Sequence, residues 1–589
     1  MRLTYSSFVS SPAEQALDQQ AQSLQNRRGC PGKVQLLAHP YRDGKAGWLK
    51  DENCPCFPLQ ERAKFCQSGF TVVELCAQSF LRSLDEKMKQ TCNTFCSNAE
   101  ETMRRFYKYR HRWLGIASIV LASTILLIVL VLTHVIPLPF WGKAPSPLQP
   151  LELSSDPYTV GQRFTEVEPG TYSYGSTIVT AFQAGRFADG GSANNGWATS
   201  TDGGLTWKTG FLPGTTFLTG GPNTRMSDPV VAYAAAQHTW IISSLAEVGS
   251  GPTLATHTVI VNLSTDGGLT WSTPYKVIDG GSTYYDKEWI TCDTHHTSPF
   301  YGHCYIEWDN NDLGGLILMS TSSDGGRTWS KPQTTADKAH GLGGQPLVQP
   351  GGVVIVPIAG FETKRLLSFI STDGGQSWST TTLVARINGN VLPSAQIDRA
   401  GKVYLVWTDC QFERNCKATS GGEDDDIRHA AGSGTDAVPP AAGPRENDLV
   451  MSTSTDGMHW TPPQFIPIDP LGNGITHLIP GIGVDRGTAG ASAHLALAFY
   501  YHPVNCDITC PYSVGFVSSS DGGAHWTHKM KLAGPMNVSW LPAGRNKVGD
   551  YISTSFCNGR AFPVFSIAFA PAHGHLNEAM YTIKGGVPV

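Results

Sequence analysis

Six times the sequence writes a short run that ends in tryptophan. STDGGLTW occupies 200–207 and returns unchanged at 264–271, then recurs as SSDGGRTW (322–329), STDGGQSW (371–378), STDGMHW (454–460) and SSDGGAHW (519–526). A catalytic centre is built once, so a run repeated six times at spacings of roughly blade length is scaffold. Each copy follows a strand-like stretch such as HTVIVNLS, RLLSFIS or YSVGFVSS and precedes another. That context makes the run a hairpin turn. Serine and aspartate side chains satisfy the turn's own backbone, the glycines permit positive φ, and the tryptophan opens the next strand with a ring to pack on a neighbouring sheet. Asp202, Asp266, Asp324, Asp373, Asp456 and Asp521 are therefore structural.

A second period runs upstream of the octets. TEVEPGTYSYGSTIVTAF (from 165), SDPVVAYAAAQHTWIISSL (227), DKEWITCDTHHTSPFYGHCYIEW (286), GQPLVQPGGVVIVPIA (344), LPSAQIDRAGKVYLVW (392), and HLIPGIGVD with HLALAFYY (477, 494) read as first and second strands of successive units. A seventh, GDYISTSFCNGRAFPVFSIA from Gly549, has no octet after it; AMYTIKGG supplies its third strand. The expected fold is all-β: a β-propeller of seven blades, with six as the alternative, closed by a strand from around 151–163 so that no sheet edge is left open.

Before the propeller the composition changes. Residues 113–135, WLGIASIVLASTILLIVLVLTHV, carry no charge apart from His134 and are long enough to span a bilayer. Arg104, Arg105, Lys108, Arg110 and Arg112 precede them and only Lys143 follows closely, so the positive-inside rule puts the N-terminus in the cytoplasm and the propeller outside. A cleaved signal peptide is the alternative. Residues 136–150 are a linker; PLPFWGKAPSPLQP holds five prolines in fourteen residues, a semi-extended spacer of up to about 40 Å. Residues 1–112 form a cysteine-containing cytoplasmic segment whose thiols match no zinc spacing; a start at Met103 is also compatible with the sequence. In 151–589, Cys292/Cys304, Cys410/Cys416 and Cys506/Cys510 are close enough in sequence for disulfides, leaving Cys557 over. Residues 417–446 read as a flexible loop; its acidic run Glu423 to Asp426 lacks the spacing of a calcium loop. No metal and no cofactor is expected. A net charge of −5 without a basic stripe excludes nucleic acid as a partner.

The octets resemble the Asp-box, S-x-D-x-G-x-x-W, of the sialidase (neuraminidase) superfamily; the fifth is one residue short. The resemblance covers 151–589. It implies three arginines on a substrate carboxylate, a tyrosine nucleophile activated by a glutamate, and an aspartate acid/base. Arg365, just before an Asp-box, and Tyr551, in a late inner strand, fit two of those positions. The first-blade arginine tetrapeptide is absent, with only Arg163 nearby, and VLPSAQID offers Pro393 and Ser394 where the glutamate belongs.

Propeller geometry gives an independent set. Residues just before each first strand line one mouth of the central channel: Glu166, Glu168, Arg225, Asp228, Asp286, Lys287, Glu288, Gln345, His477, Asp550 and Tyr551. Asp228, Asp286, Glu288, Asp550 and Tyr551 are the catalytic candidates. Glu168, Arg225, Lys287, Arg365 and His477 are the ligand-binding candidates. Two functions follow: a membrane-anchored glycoside hydrolase of sialidase type acting on extracytoplasmic glycans, or a non-catalytic propeller that binds a glycan or protein.

Overall fold

The computed structural model divides into two compact units, 1–142 and 143–589. It describes residues 148–589 except 251–254, 361–362, 389–391, 415, 417–445, 506–509 and 543–547. The apolar run 113–135 and the segment before it lie outside the described residues; among those described, no helix is long and apolar enough to cross a membrane.

The second unit is an all-β propeller. Its strands form six hydrogen-bonded sheets, one of which holds eight strands. That large sheet is two consecutive antiparallel meanders joined by the single pair Ser192–Met226. In chain order the meanders begin with first strands Glu166–Tyr174, Arg225–Ala234, Tyr285–Cys292, Leu347–Val348, Ser394–Ile397, Ile475–Val484 and Ser553–Cys557. Consecutive first strands touch, and the last touches the first; Thr171 N–H donates to Ser553 Oγ at 3.2 Å across that junction. The final meander takes its outer strand from the start of the unit, where Pro150–Ser154 pairs antiparallel with Glu578–Ile583. Strands from both ends of the unit thus close the ring in one sheet, and the closing strand falls within a few residues of its expected position.

Neighbouring meanders are bonded by apolar layers. Val179, Trp197, Tyr233 and Trp240 fill one between the first two; Leu153, Phe182, Val564 and Met580 fill the one between the last and the first. Burial of such side chains at about 25 cal/mol per Å² is the main force holding the ring.

Each octet follows the third strand of its meander and, in every one of the six but the third meander, leads into a fourth; its hydrogen bonds repeat almost atom for atom. In the first, Asp202 Oδ1 accepts from Leu205 N (3.1 Å) and Thr206 N (2.9 Å), Oδ2 accepts from Thr206 Oγ1 (2.6 Å), and Ser200 Oγ accepts from Gly204 N (2.8 Å). The shortened fifth copy keeps the scheme, with His459 replacing the threonine on Asp456 Oδ2 at 2.7 Å. The second glycine faces the preceding meander at positive φ: a Cβ on Gly204 would stand 2.2 Å from the Phe562 ring and one on Gly375 2.2 Å from Thr321 Oγ1. The octet is therefore both a turn and an inter-meander contact.

Cys292 and Cys304 form a disulfide, as do Cys410 and Cys416. Cys510 is disulfide-bonded, and Cys506 lies outside the described residues. Cys557 is free and buried.

Candidate functional site

Antiparallel meanders sort their connections by end. The octets, after the third strands, occupy one end of the ring; the starts of all first strands occupy the other. At that second end a local device recurs. The register slips between Val167 and Gly170, Ser227 and Val230, Asp286 and Trp289, and Leu478 and Gly481. Inside each slip one residue adopts positive φ: Glu168 (58°), Asp228 (44°), Lys287 (47°) and Ile479 (53°). A bulge re-aims its side chain out of the ladder, and non-glycine residues held in this region concentrate at functional sites. The bulges turn Glu168, Asp228 and Lys287 toward one another.

Lys287 is the hub. Its Nζ lies 3.0 Å from Asp228 Oδ1 and 3.4 Å from the centroid of the Tyr551 ring; Trp289 meets the same ring edge-on at 5.5 Å. Burial would pull the ammonium's pKa down, but Asp228, Glu168 and Asp550 outweigh it and hold it above the ordinary lysine range. Asp228 Oδ2 accepts from Ser227 Oγ at 3.1 Å. Glu168 Oε1 accepts from Asp550 N at 3.2 Å, and its Oε2 accepts from Gln183 Nε2, which also donates to Ser227 Oγ at 3.2 Å. Only 3% of Glu168 is exposed. Burial, then the charges of Asp550 and Asp228, push its carboxyl up to about 8. Burial, then Asp228, push Asp286 up to about 7. Glu288 is fully buried on Ser243 Oγ at 2.7 Å, and burial holds it well above the carboxylate range.

Lys287, Asp550 and Tyr551 of this group line a depression together with Trp289, Gln345, Leu392, Pro393 and Pro480. Its two sides differ. Meanders three and seven contribute the charges of Lys287 and Asp550, backed by Glu168 and Asp228 from meanders one and two; meanders four to six contribute Gln345, Leu392 and Pro480. The Tyr551 hydroxyl has no hydrogen-bond partner although the residue is only 5% exposed. Burial and the surrounding carboxylates raise its phenol well above the usual value, so it stays neutral.

Seven of the ten candidates from the sequence thus gather at this mouth: Glu168, Asp228, Asp286, Lys287, Glu288, Asp550 and Tyr551. The other three stand elsewhere. Arg225 forms a two-pronged ion pair with Asp189 (2.7 and 3.2 Å) and stacks on Phe187 at 4.1 Å. Arg365 is exposed on a third strand opposite Arg386. His477 is buried between meanders five and six, with Nε2 3.1 Å from Asp469 Oδ2. Glu166, named among the mouth positions, turns inward to accept from Met580 N at 3.0 Å.

The sequence reading passed over Gln183, Glu247, Glu307 and Asp309. All lie on second strands, which run toward the mouth, within or at the end of apolar stretches such as IVTAFQ and YIEWD. A polar residue interrupting such a stretch was the available signal. A second signal was an X-Pro pair at five strand entries: Glu168-Pro169, Asp228-Pro229, Gln345-Pro346, Leu392-Pro393 and Ile479-Pro480. Proline lacks the N–H that a regular ladder would use there.

Residues 245–424 match the BNR repeat-like domain family. The match spans octets two to four, and the Asp-box reading of the repeats holds. Compared by sequence with curated proteins, the chain matches none. Solved structures to which it is similar include the NanB sialidase of Streptococcus pneumoniae (14% identity, TM-score 0.37, covering 77% of this chain and 72% of that one). Others are a PL25 polysaccharide lyase, an ulvan lyase (12%, 0.42, 74% and 97%), and the intramolecular trans-sialidase of Ruminococcus gnavus (13%, 0.35, 73% and 96%).

Proposed function

We propose that this chain is a seven-bladed, membrane-anchored propeller that binds glycans outside the cell and hydrolyses a glycosidic bond at the channel mouth. The observation that carries the reading is the pairing of unlike carboxyls at that mouth. Glu168, held near 8, keeps its proton at neutral pH, while Asp228 is ion-paired to Lys287. A buried carboxyl that keeps its proton, beside a carboxylate ion-paired to an ammonium, can divide the acid and base roles. Glu168 donates to the leaving oxygen, Asp228 supplies the carboxylate for the anomeric side, and Tyr551 and Trp289 hold the sugar. Asp286 and Asp550 add charge around the developing oxocarbenium ion.

This assignment departs from the sialidase scheme that the Asp-boxes imply. Arg225 and Arg365 are not at the mouth, and a raised phenol is a poor nucleophile. Hydrolysis of a panel of fluorogenic glycosides, sialosides included, by the full chain in detergent tests the reading. Turnover lost in Glu168→Gln supports it. Sialoside turnover that vanishes in Tyr551→Phe would restore the sialidase mechanism.

One feature favours a second reading, recognition without turnover. Both oxygens of Glu168 and both of Asp228 already hold partners. Glycan binding with no cleavage of any glycoside, lost in Asp228→Asn, selects it.

The anchoring rests on the 113–135 run and its flanking cations. Disulfides at Cys292–Cys304 and Cys410–Cys416 support an oxidising location for the propeller. Protease digestion of intact cells should remove the propeller and spare the N-terminus; protection of both would refute this topology.

A further inference from the structure

One side chain joins the two carboxyls of the proposed chemistry. Gln183 stands on the second strand Thr177–Arg186, in register with Val167 of the first. Its amide is buried among Glu168, Ser227 and Asp228, themselves buried. Nε2 carries two N–H groups and both are used: one donates to Glu168 Oε2, the other to Ser227 Oγ at 3.2 Å. Oε1 is buried with no donor. The amide therefore acts on the mouth only by donating.

That orientation decides where a proton on Glu168 can sit. An N–H group can only donate, so the oxygen that meets it must accept, and the carbonyl oxygen of a carboxylic acid is the better acceptor. Facing Nε2, Oε2 is that carbonyl oxygen. The proton is left to Oε1, which also accepts from Asp550 N at 3.2 Å. Asp550 lines the depression, so Oε1 is the oxygen on that side, while Oε2 is turned to the second strand.

The other N–H works on the other carboxyl. With Nε2 donating to its oxygen, the Ser227 hydroxyl keeps its hydrogen for Asp228 Oδ2, 3.1 Å away. Asn195 Nδ2 steadies Ser227 by donating to its carbonyl at 3.2 Å. The line from Glu168 through Gln183, Ser227 and Asp228 ends on Lys287 Nζ, 3.0 Å from Asp228 Oδ1.

We propose that Gln183 is a positioning residue: its amide places the Glu168 proton on Oε1, toward the ligand, and through Ser227 aims a hydroxyl at Asp228. The inference rests on Glu168 being the proton donor of the proposed hydrolysis. In that step the proton passes from Oε1 to the leaving oxygen, which takes the electron pair of the breaking glycosidic bond. Gln183 is left donating to a carboxylate, a stronger hydrogen bond than one to the acid. The same donor thus favours the ionised form, as do the charges of Lys287 and Arg186; burial and the carboxylates of Asp550 and Asp228 oppose it.

Infrared difference spectroscopy of the full chain in detergent, stepped from pH 6 to pH 10, reads the acid carbonyl of Glu168 as the band lost in Glu168→Gln. Gln183→Met keeps the side chain's length and removes the donor. The band should move to higher frequency, as an acid carbonyl does on losing a hydrogen bond, and its midpoint should rise because a donor to the ionised form has gone. For a glycoside that is turned over, kcat should fall roughly ten- to a hundredfold with KM little changed, and the alkaline limb of the pH profile should move up with the band. Gln183→Asn, whose amide falls one methylene short, should shift the band in the same direction and serves if the methionine variant does not fold. A band and midpoint unmoved in both variants overturn the role of Gln183 and leave Glu168 as the acid. Absence of a Glu168 acid band in the parent chain at pH 6 overturns the proton donor itself, and the positioning with it.

Discussion

At the octet end of the ring, Asp202 and Asp521 lie in the open. The hydroxyl and N–H of Thr206 hold the first carboxyl down to about 2; the N–H and ring of His525 do the same for the second. At the mouth end, Glu168 and Asp286 are pushed up to about 8 and 7, burial being the first cause and neighbouring carboxylates the second. The chemical group is the same at both ends; the donors and the water around it differ. Octet aspartates accept a fixed set of hydrogen bonds within four residues of sequence, so copying the octet copies the environment. Mouth carboxyls depend on bulges and on residues from other meanders, so each environment is assembled once. Repetition therefore marks the scaffold, and departure from repetition marks the site.

The largest expected effect tests whether the mouth is held by its ion pair. Lys287→Met leaves Asp228 as an uncompensated buried charge, and removing one partner of such a pair costs about 3–5 kcal/mol. Chemical denaturation of the two proteins measures it. A loss below about 1 kcal/mol would mean that the mouth is solvated and no different in kind from the octet end.

Next in size is the effect on turnover. Glu168→Gln should lower glycoside hydrolysis at neutral pH about 10²-fold or more, the range for a lost general acid, with glycan affinity kept within about threefold. The fold should tolerate it: the Gln183 amide has an unpartnered Oε1 that accepts from the new amide once Gln183 flips. Unchanged turnover would remove Glu168 from the chemistry and leave Asp286 as the proton donor to test.

The ring and its octets were legible because they rest on local chemistry. Serine, aspartate and paired glycines fix the turn wherever they occur, and the alternation around them gives the strands. The mouth was legible as a place, since the start of every first strand faces one end. Seven side chains fell where that rule put them. Arg225 and His477 obeyed the rule by position, yet local partners, Asp189 and Asp469, drew them away. Arg365 came from the Asp-box resemblance and not from the geometry, and it stands outside the channel. Glu307 and Asp309 were missed because an acid on a strand reads as solvent-facing until the neighbouring meander is known to cover it. The bulges were unreadable for the same reason: positive φ at Glu168 or Lys287 is imposed by the register of the whole sheet and by no residue nearby.

The two ends should also separate by pH. Mouth carboxyls with raised pKa stabilise the folded chain fully below the unfolded carboxyl range near 4, and that contribution fades as pH rises through 7 and 8. Octet aspartates with depressed pKa contribute above about 4 and lose it as pH falls toward 2. Melting temperature should therefore peak between about pH 4 and 5 and decline toward pH 8. In Asp286→Asn the alkaline decline should be shallower and the acid limb unchanged. A profile that rises from pH 5 to 8 would mean that the mouth carboxyls ionise freely.

The smallest effect bears most directly on the division of labour. Asp266 accepts from Leu269 N, Thr270 N and the Thr270 and Ser264 hydroxyls, all within its own turn. Asp266→Ala removes these bonds at an accessible site where water replaces part of them, so about 1 kcal/mol of stability should go. Affinity for any glycan bound by the parent chain should stay the same in the folded fraction, because the octet sits at the opposite end of the strands from Lys287. Titration of the variant well below its melting temperature separates the two quantities. A weakened affinity with unchanged stability would tie the octets to recognition, and the contrast between the two ends would fail.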